Sequence, residues 1–337
     1  MRLGLIGLKG HQSVVLSGAR ELGDIDLVAI SDDDARALAR FVRDTPQARQ
    51  AQKFADWRHL IEHAMLDVVC VCDENHLRAE QLTALAARNI HIVTEKPLTT
   101  TLDDLERVRA GLAKSKSKLT MLLTMRHEAR YAKMRELVAS GVIGEVAQVS
   151  AQKSYRLEDR PEWFKSRQRL GGTIPYIGIH AVDLISWVSG LHFNHVAAFH
   201  GRIGSEQIKE TENQASLLLE LSNGGSATAR LDYLRPSTAP THGDDRLRLA
   251  GTKGVLEARG GEPQLMLVTS DGQPRRIDPG STRNLFAEFI ECIRGDRPYR
   301  IPAEDCFYAT EVVLKARDAA DHRRLVEIGA PRPIARG

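Results

Sequence analysis

The chain has 337 residues, of which 42% are hydrophobic and 27% charged, and its 47 basic and 44 acidic residues leave a net charge of +3. This composition is typical of a globular protein of about two domains, and so balanced a charge argues against nucleic acid or an anionic membrane as a partner. No apolar run of about 18 residues occurs, and residues 3–8 lack a preceding basic region, so we expect a cytoplasmic protein without a membrane span or signal peptide.

The first third of the chain alternates short apolar runs with amphipathic stretches. The predicted strands cover residues 2–6, 26–31, 67–72, 89–95 and 118–124. The predicted helices cover residues 11–22, 32–44 and 77–88, and a further helix follows Pro97. This alternation is typical of a parallel sheet with helices on both faces, so residues 1–124 are predicted to form a doubly wound Rossmann domain within an α/β protein.

Strands dominate the pattern after residue 125. A helix over residues 128–140 is followed by predicted strands at 145–155, 194–203, 214–222, 225–234, 246–250, 254–258 and 264–268. Two helices, over 282–294 and 304–320, close the chain. Residues 125–330 are therefore predicted to form an α+β domain with a large, mostly antiparallel sheet. Because Ala227, Ala229 and Leu231 share one face of a strand, we predict a homodimer or homotetramer through this sheet.

Two of the four cysteines, Cys70 and Cys72, alternate within the apolar run VVCVC. Their spacing is CxC rather than CxxC, and no second pair follows. The pattern favours reduced core thiols on one face of a strand over a metal or redox site, and we predict no bound metal.

A glycine-containing turn follows the first predicted strand and reads Gly7-Leu8-Lys9-Gly10-His11-Gln12. Dinucleotide-binding loops usually read GxGxxG or GxGxxA. Gly7 fits the first position, but Lys9 and Gln12 replace the other two small residues. The turn alone is also compatible with any strand-to-helix connection. Its place after a strand and before a helix favours phosphate binding by helix N–H groups, to which Lys9 could add a charge.

Asp32 ends the second predicted strand, 25 residues after Gly7. An acid at this place can accept hydrogen bonds from the ribose hydroxyls and repel a 2′-phosphate. Asp32 could instead cap the following helix, a role equally open to Asp33 and Asp34. We predict NAD as the cofactor, with NADP as the variant.

Two later motifs carry a family resemblance. Residues 95–97 read EKP at the end of a predicted strand, behind Asn75 and His76, and residues 171–183 read GGTIPYIGIHAVD. Further matching segments are SGVIGEV at 140–146, RPEWF at 160–164 and LRLAGTKGVLE at 247–257. The resemblance runs from residue 1 to about residue 320. In these motifs the sequence resembles the Gfo/Idh/MocA family of NAD(P)-dependent sugar and polyol oxidoreductases.

The resemblance implies hydride transfer between nicotinamide and a carbon that bears a hydroxyl or carbonyl group. It implies that Lys96 and His180 face the substrate beside the nicotinamide, and it implies an oligomerising C-terminal sheet. The cofactor-binding residues that we predict from the loop, the acid and the resemblance are Gly7, Lys9, Gly10, His11, Asp32, Asn75, His76, Glu95, Lys96 and Arg126.

Oxidation of an alcohol also requires a group that takes the hydroxyl proton. Lys96 stands at a strand's carboxyl end, where open α/β sheets bind ligands, although most lysines are simply exposed. His180 begins an apolar helix and could equally be a capping or core histidine. Tyr176 departs from the family pattern, which usually has aspartate there. We predict Lys96 and His180 as proton-transfer groups and Tyr176 as a third catalytic residue.

The predicted substrate contacts are Lys96, Lys153, Tyr176, His180 and Asp183, with Arg156, Arg160, Trp163, His242 and Asp244 as further pocket candidates. A basic set of this kind suits a hydroxylated or acidic sugar. Two functions remain open at this point: a dehydrogenase or reductase of a sugar, polyol or related small molecule, and a non-catalytic sensor or regulator that retains the fold. Retention of both Lys96 and His180 favours the enzyme.

Overall fold

The computed structural model describes residues 1–295 and 298–334. It contains two compact units. The first comprises Met1–Leu122, Arg283–Phe307 and a short piece that begins at Pro333, and the second comprises Leu123–Thr282 and Tyr308–Arg332. The sequence predicted a continuous second domain over residues 125–330, which is wrong for residues 283–307. These residues return to the first unit, where Asn284 donates a hydrogen bond of 3.1 Å to the carbonyl of Val14.

The first unit is built on a six-stranded parallel sheet. Its strands are β1 (Arg2–Ile6), β2 (Asp26–Ser31), β3 (Gln52–Phe54), β4 (Val68–Val71), β5 (His91–Thr94) and β6 (Leu119–Met121). They lie in the order β3-β2-β1-β4-β5-β6, which is the strand order of dinucleotide-binding domains. All four residues of β4 are buried, as expected for a strand covered on both faces.

Helices connect these strands: α1 (Gln12–Leu22), α2 (Ala35–Asp44), α3 (Trp57–His63), α4 (Arg78–Ala87) and α5 (Leu102–Ala113). The side chains of Asp34, Asp56 and Thr101 cap three of them. The sequence did not predict β3 and α3, because a strand of three residues and a helix of seven are too short to show a clear hydrophobic period. The predicted strand 118–124 is shorter than expected, since a 3₁₀ turn begins at Thr124.

A nine-stranded sheet dominates the second unit. Its strands are β7 (Val146–Arg156), β8 (Phe193–Gly201), β9 (Gln214–Leu221), β10 (Ser226–Arg235), β11 (Gly243–Gly251), β12 (Gly254–Ala258), β13 (Leu265–Thr269), β14 (Arg275–Ile277) and β15 (Val326–Glu327). The order is β14-β13-β12-β11-β7-β10-β9-β8-β15, and only the β7–β10 pair is parallel. The predicted fold class is thereby confirmed.

The remaining helices are α6 (Ala129–Ala139), α7 (Glu162–Lys165), α8 (Arg167–Leu170), α9 (Ile179–Ser189), α10 (Leu285–Ile293) and α11 (Ala303–His322). Helix α9 packs against β7, β10 and β11 and covers one face of the large sheet. Ala227, Ala229 and Leu231 lie on this covered face and are buried. The face of β10 from which the sequence predicted an oligomer is therefore covered within its own chain.

Cys70 lies in β4 and Cys72 directly follows it, and their sulfur atoms lie 3.4 Å apart in the core. Across residues 1–295 and 298–334, no cluster of three histidine, cysteine or carboxylate side chains is arranged to hold a metal ion. Nor is any helix within these ranges both long and apolar enough to cross a membrane.

Candidate active site

Two glycines shape the loop between β1 and α1. Gly7 has a φ of +75°, and a Cβ atom on it would lie 2.6 Å from the Cα atom of Asp73. A Cβ atom on Gly10 would lie 2.5 Å from Cγ of Glu95. Both positions require glycine, because the segments after β4 and β5 lie directly against the loop.

The loop leads into α1 with unused donors. The backbone N–H groups of Gly10, Gln12 and Ser13 find no acceptor within the part of the chain that the structure describes. Such groups at a helix N-terminus form a binding site for an anion, helped by the helix dipole. The residues present therefore fit the pyrophosphate of a dinucleotide, even though Lys9 and Gln12 depart from the usual motif.

Lys9 ties this loop to the ends of two strands. Its Nζ atom lies 2.8 Å from Oδ1 of Asp33, 3.0 Å from Oδ1 of Asp73 and 3.9 Å from Oε1 of Glu74. Burial would lower the pKa of Lys9, but Asp33 and Asp73 raise it above its ordinary value. The charge that the sequence assigned to a phosphate contact is thus already matched by carboxylates of the protein.

Asp32 is buried where β2 ends. Its Oδ2 atom accepts a hydrogen bond of 2.8 Å from the amide of Leu8, and its Oδ1 atom accepts one of 2.8 Å from the amide of Asp34. Burial raises the pKa of its carboxyl group. The helix-capping role falls to Asp34, which accepts from the amides of Arg36 and Ala37. Asp32 thus lies next to the glycine loop, where the ribose of a bound dinucleotide is expected.

Strand β5 leads directly to Glu95 and Lys96. Oε1 of Glu95 accepts hydrogen bonds of 2.5 Å from the backbone amide and from ring Nδ1 of His11, and Oε2 accepts one of 3.2 Å from the amide of Lys96. Burial by itself would raise the pKa of Glu95, but the hydrogen bond from His11 and the charges of Lys96 and Arg78 lower it to about 2. Lys96 exposes only 4% of its surface, unlike an ordinary lysine, and the Lys96–Pro97 peptide is cis.

Sequence reasoning missed the residue that supports this turn. Arg78 is 2% exposed and donates to the carbonyl oxygens of Pro97 and Asp73 and to the side chain of Asn75. It therefore joins the EKP turn to the segment after β4. Its position at the start of a helix resembled that of many surface arginines, so the sequence held no signal for it. His76, beside this network, places Nδ1 3.5 Å from Oε2 of Glu74.

In the second unit, Tyr176 lies in a π-helical segment, Ile174–Gly178, that continues into α9. Pro175 removes one backbone donor from this segment, and a Cβ atom on Gly178 would lie 2.7 Å from the side chain of Leu231. Short π-helical turns within helices frequently occur at functional sites. His180 follows at the start of α9 and is 8% exposed.

The ring of Tyr176 stands edge-on to two aromatic rings, with centroids 5.4 Å from Phe164 and 6.2 Å from Trp163. Phe164 in turn lies 5.6 Å from the ring of Tyr233. These contacts place Tyr176 within an aromatic group over the end of β10.

Arg126 and Asp183 form a buried ion pair in this unit. The guanidinium Nε lies 3.1 and 3.0 Å from the two carboxylate oxygens, and Nη2 lies 2.6 Å from Oδ1. The sequence assigned Arg126 to the cofactor and Asp183 to the substrate. The structure pairs the two, and so joins the turn at Thr124–His127 to α9 one helical turn after His180.

Lys153, a predicted substrate contact, is also paired and buried. Its Nζ atom lies 2.7 Å from Oδ2 of Asp245 and 3.0 Å from Sδ of Met125, and it sits 5.0 Å from the ring centroid of Tyr155. Burial lowers the pKa of Lys153, and Asp245 opposes that effect. Lys153 exposes only 2% of its surface, so it supports the inner layer of the sheet.

The two units hold complementary chemistry. The first gathers a glycine loop at a helix N-terminus, a buried acid and a buried lysine at the carboxyl edge of one parallel sheet. The second presents a histidine and a phenol on one helix, beside aromatic rings. This combination defines a two-domain, nicotinamide-dependent oxidoreductase.

Comparison with known proteins agrees with this class. Residues 1–123 match the model of an oxidoreductase family with an NAD-binding Rossmann fold, and residues 131–257 match the GFO/IDH/MocA C-terminal domain. The chain belongs to the GFO/IDH/MocA family. The predicted family, the predicted cofactor NAD and the predicted class of enzyme, an NAD-dependent dehydrogenase, are confirmed.

Three relatives illustrate the likeness. A myo-inositol 2-dehydrogenase from Thermotoga maritima is 24% identical over 97% of this chain and 98% of its own length. A solved oxidoreductase structure from Thermotoga maritima is 32% identical, with a TM-score of 0.91 over 97% of this chain and 100% of that one. Levoglucosan dehydrogenase in complex with NADH has a TM-score of 0.84 over 98% and 99% of the two chains, and at 15% identity it shares the fold.

Proposed function

We propose that this protein is an NAD(H)-dependent dehydrogenase that acts on a CH–OH group of a sugar, polyol or related hydroxylated small molecule. In this proposal Lys96 and His180 are the proton-transfer groups. The observation that carries it is the buried position of Lys96 directly after β5, beside a Glu95 carboxylate that is bound to the phosphate-binding loop through His11. The inositol 2-dehydrogenases among the relatives support the substrate class.

Oxidation of an alcohol removes a hydride from carbon and a proton from oxygen. Bound NAD⁺ supplies the hydride acceptor. Lys96 accepts the hydroxyl proton as the carbonyl forms, and in the reverse direction it returns that proton. His180 is the second proton-transfer group of the proposal. Tyr176, four residues earlier, binds a neighbouring substrate hydroxyl through its phenol.

NAD is favoured over NADP by the same set of residues. Asp32 and Asp33 bring two carboxylates to the end of β2, and Lys9 beside them is already paired with Asp33. These carboxylates would repel a 2′-phosphate bound at this place.

Replacing Lys96 by methionine and His180 by alanine tests the catalytic roles. We expect each variant to bind NADH, measured by nicotinamide fluorescence, as the wild type does, but to lower turnover of a polyol panel by roughly 10²–10⁴-fold. The double variant should lose less than the product of the single losses, because the groups act as a unit. Lys114→Met, at an exposed lysine, is the matched control. Full turnover in Lys96→Met would refute the role, and NADH binding without turnover of any substrate by the wild type would favour a sensor.

We also propose a homodimer or homotetramer through the open face of the large sheet. Phe199 of β8 is 67% exposed and Leu218 of β9 is 55% exposed, and both lie on the face that α9 leaves uncovered. Exposed apolar residues grouped on one sheet face are typical of a protein interface. Sedimentation of Leu218→Glu should show smaller particles than the wild type, and a wild type that is monomeric at micromolar concentration contradicts the proposal. The cytoplasmic location remains a prediction.

A further inference from the structure

Among the residues that the structure describes, two arginines near the aromatic group of Tyr176 have no acidic partner. Arg156 ends β7 and Arg160 follows four residues later, and both are half-buried. Neither forms an ion pair within the described ranges of the chain, and the Nε atom of each is buried without a hydrogen-bond partner there. The adjacent acids form no ion pair with them in these ranges, since Glu158 lies 3.2 Å from Nδ1 of His242 and Asp159 is exposed.

This arrangement differs from that of other buried cations in the same unit. Lys153 is matched by Asp245, and Arg126 is matched by Asp183. A half-buried guanidinium without a counter-charge loses part of its hydration, and an anionic ligand would restore the balance. The two arginines therefore present guanidinium groups that no carboxylate pairs with in the described ranges of the chain.

Local contacts hold the two arginines together and beside the aromatic rings. Nη2 of Arg160 donates a hydrogen bond of 3.2 Å to the backbone carbonyl of Arg156. The guanidinium carbon of Arg160 lies 4.9 Å from the ring centroid of Phe164 and 5.3 Å from that of Tyr233. These stacking contacts orient the planar guanidinium group of Arg160, which can bind a carboxylate or phosphate through two parallel hydrogen bonds.

The same rings connect the arginines to the proposed catalytic segment. Phe164 contacts both Arg160 and Tyr176, and Tyr176 precedes His180 by four residues. The hydroxyl oxygen of Tyr233, which faces the same group, is buried and finds no hydrogen-bond partner among the described residues. Tyr176 itself adds no negative charge that would oppose an anion.

We propose that the substrate is a hydroxylated compound that carries an anionic group, and that Arg156 and Arg160 bind this group. The inference rests on the proposed dehydrogenase function and specifies its substrate class. A sugar acid presents a carboxylate, and a sugar phosphate presents a phosphate. Both groups offer negatively charged oxygen atoms that accept hydrogen bonds from a guanidinium group. A neutral polyol would leave both arginines unmatched.

The test compares sugars that differ only at C6. Binding to the NADH-loaded protein is measured calorimetrically with D-glucose, D-glucuronate and D-glucose 6-phosphate and with the galactose set, and kcat/KM is measured for every member that turns over. We expect at least one anionic member to bind about 10–100-fold more tightly than its neutral partner, since charge-assisted hydrogen bonds contribute about 1.5–3 kcal/mol. Added NaCl should weaken binding of the anionic ligand and leave the affinity for the neutral ligand unchanged.

Variants separate this inference from the proposed function. Arg160→Gln and Arg156→Gln should each remove most of the anionic preference without changing NADH affinity, and Arg160→Lys should retain part of it. Arg202→Gln, at an exposed arginine, is the control. Equal affinity for neutral and anionic members, failure of every anionic member to bind, or an anionic preference unchanged in both glutamine variants overturns the inference. Turnover of neutral polyols in that case leaves the dehydrogenase proposal intact.

Discussion

The carboxylate of Glu95 accepts two hydrogen bonds from one residue, His11, through its backbone amide and its ring Nδ1, each at 2.5 Å. Because Glu95 immediately precedes Lys96 and His11 immediately precedes α1, this contact joins the glycine loop to the proposed catalytic lysine. A single buried carboxylate therefore links the two segments.

The first prediction concerns this carboxylate. Its pKa is lowered from 4.5 to about 2, so it stabilises the fold above pH 4.5, and the stabilisation is lost as pH falls towards 2. At ~1.4 kcal/mol per pKa unit this is worth about 3 kcal/mol. Between pH 5 and pH 3 the wild type should lose more free energy of unfolding than Glu95→Gln, as measured by urea denaturation. Parallel pH profiles for the two proteins would refute the coupling.

The second prediction concerns the choice of cofactor. Replacing Asp32 by alanine removes the acid proposed to bind the ribose hydroxyls, so the Kd for NADH should rise about 10-fold or more, by the usual worth of a hydrogen bond to a charged group. The Kd for NADPH should rise less or fall. Titration of nicotinamide fluorescence measures both constants. Asp44→Ala, at an exposed acid of α2, is the control, and a wild type that prefers NADPH would show that Asp32 has another role.

The third prediction concerns the phenol of Tyr176. Tyr176→Phe keeps the edge-on contacts with Phe164 and Trp163 and removes only the hydroxyl. We expect kcat/KM to fall about 10-fold, as expected for the loss of one hydrogen bond to substrate. Unchanged kcat/KM in this variant would mean that the ring serves packing alone. Tyr299→Phe, at a tyrosine of the first unit, is a matched control for the loss of a hydroxyl.

The fourth prediction concerns the buried pair of Lys153 and Asp245. Asp245→Asn leaves the Lys153 ammonium without its counter-charge, and loss of one partner of a buried pair typically costs about 3–5 kcal/mol. Urea denaturation should therefore show a large loss of stability, and Lys153→Met should restore part of it in the double variant. Asp44→Asn, which breaks an exposed pair with Arg43, should cost less than about 1 kcal/mol. A similarly small cost at Asp245 would contradict the role of the pair.

Much of the site could be predicted because its signals are local. Each of these signals lies within a few consecutive residues. They are the alternation of apolar runs with helical stretches, the turn after β1, Asp32 at a strand end, the EKP motif and the segment at residues 171–183. These patterns depend on backbone geometry and hydrophobic period, which short stretches of sequence encode. The parallel sheet, the family and the cofactor followed from them.

Tertiary packing decided what those patterns left open. Lys9 meets Asp33 and Asp73, and Arg78 reaches Pro97, because strands that are distant in sequence end side by side. Alternation along β10 placed Ala227, Ala229 and Leu231 on one face, but the packing of α9 decided that this face is the covered one. The return of residues 283–307 to the first unit was likewise set by a long-range contact, that of Asn284 with Val14. The free energy of the whole packed structure determines which charged groups pair and which sheet face a helix covers. The hydrophobic period of a short stretch of sequence does not encode these long-range contacts.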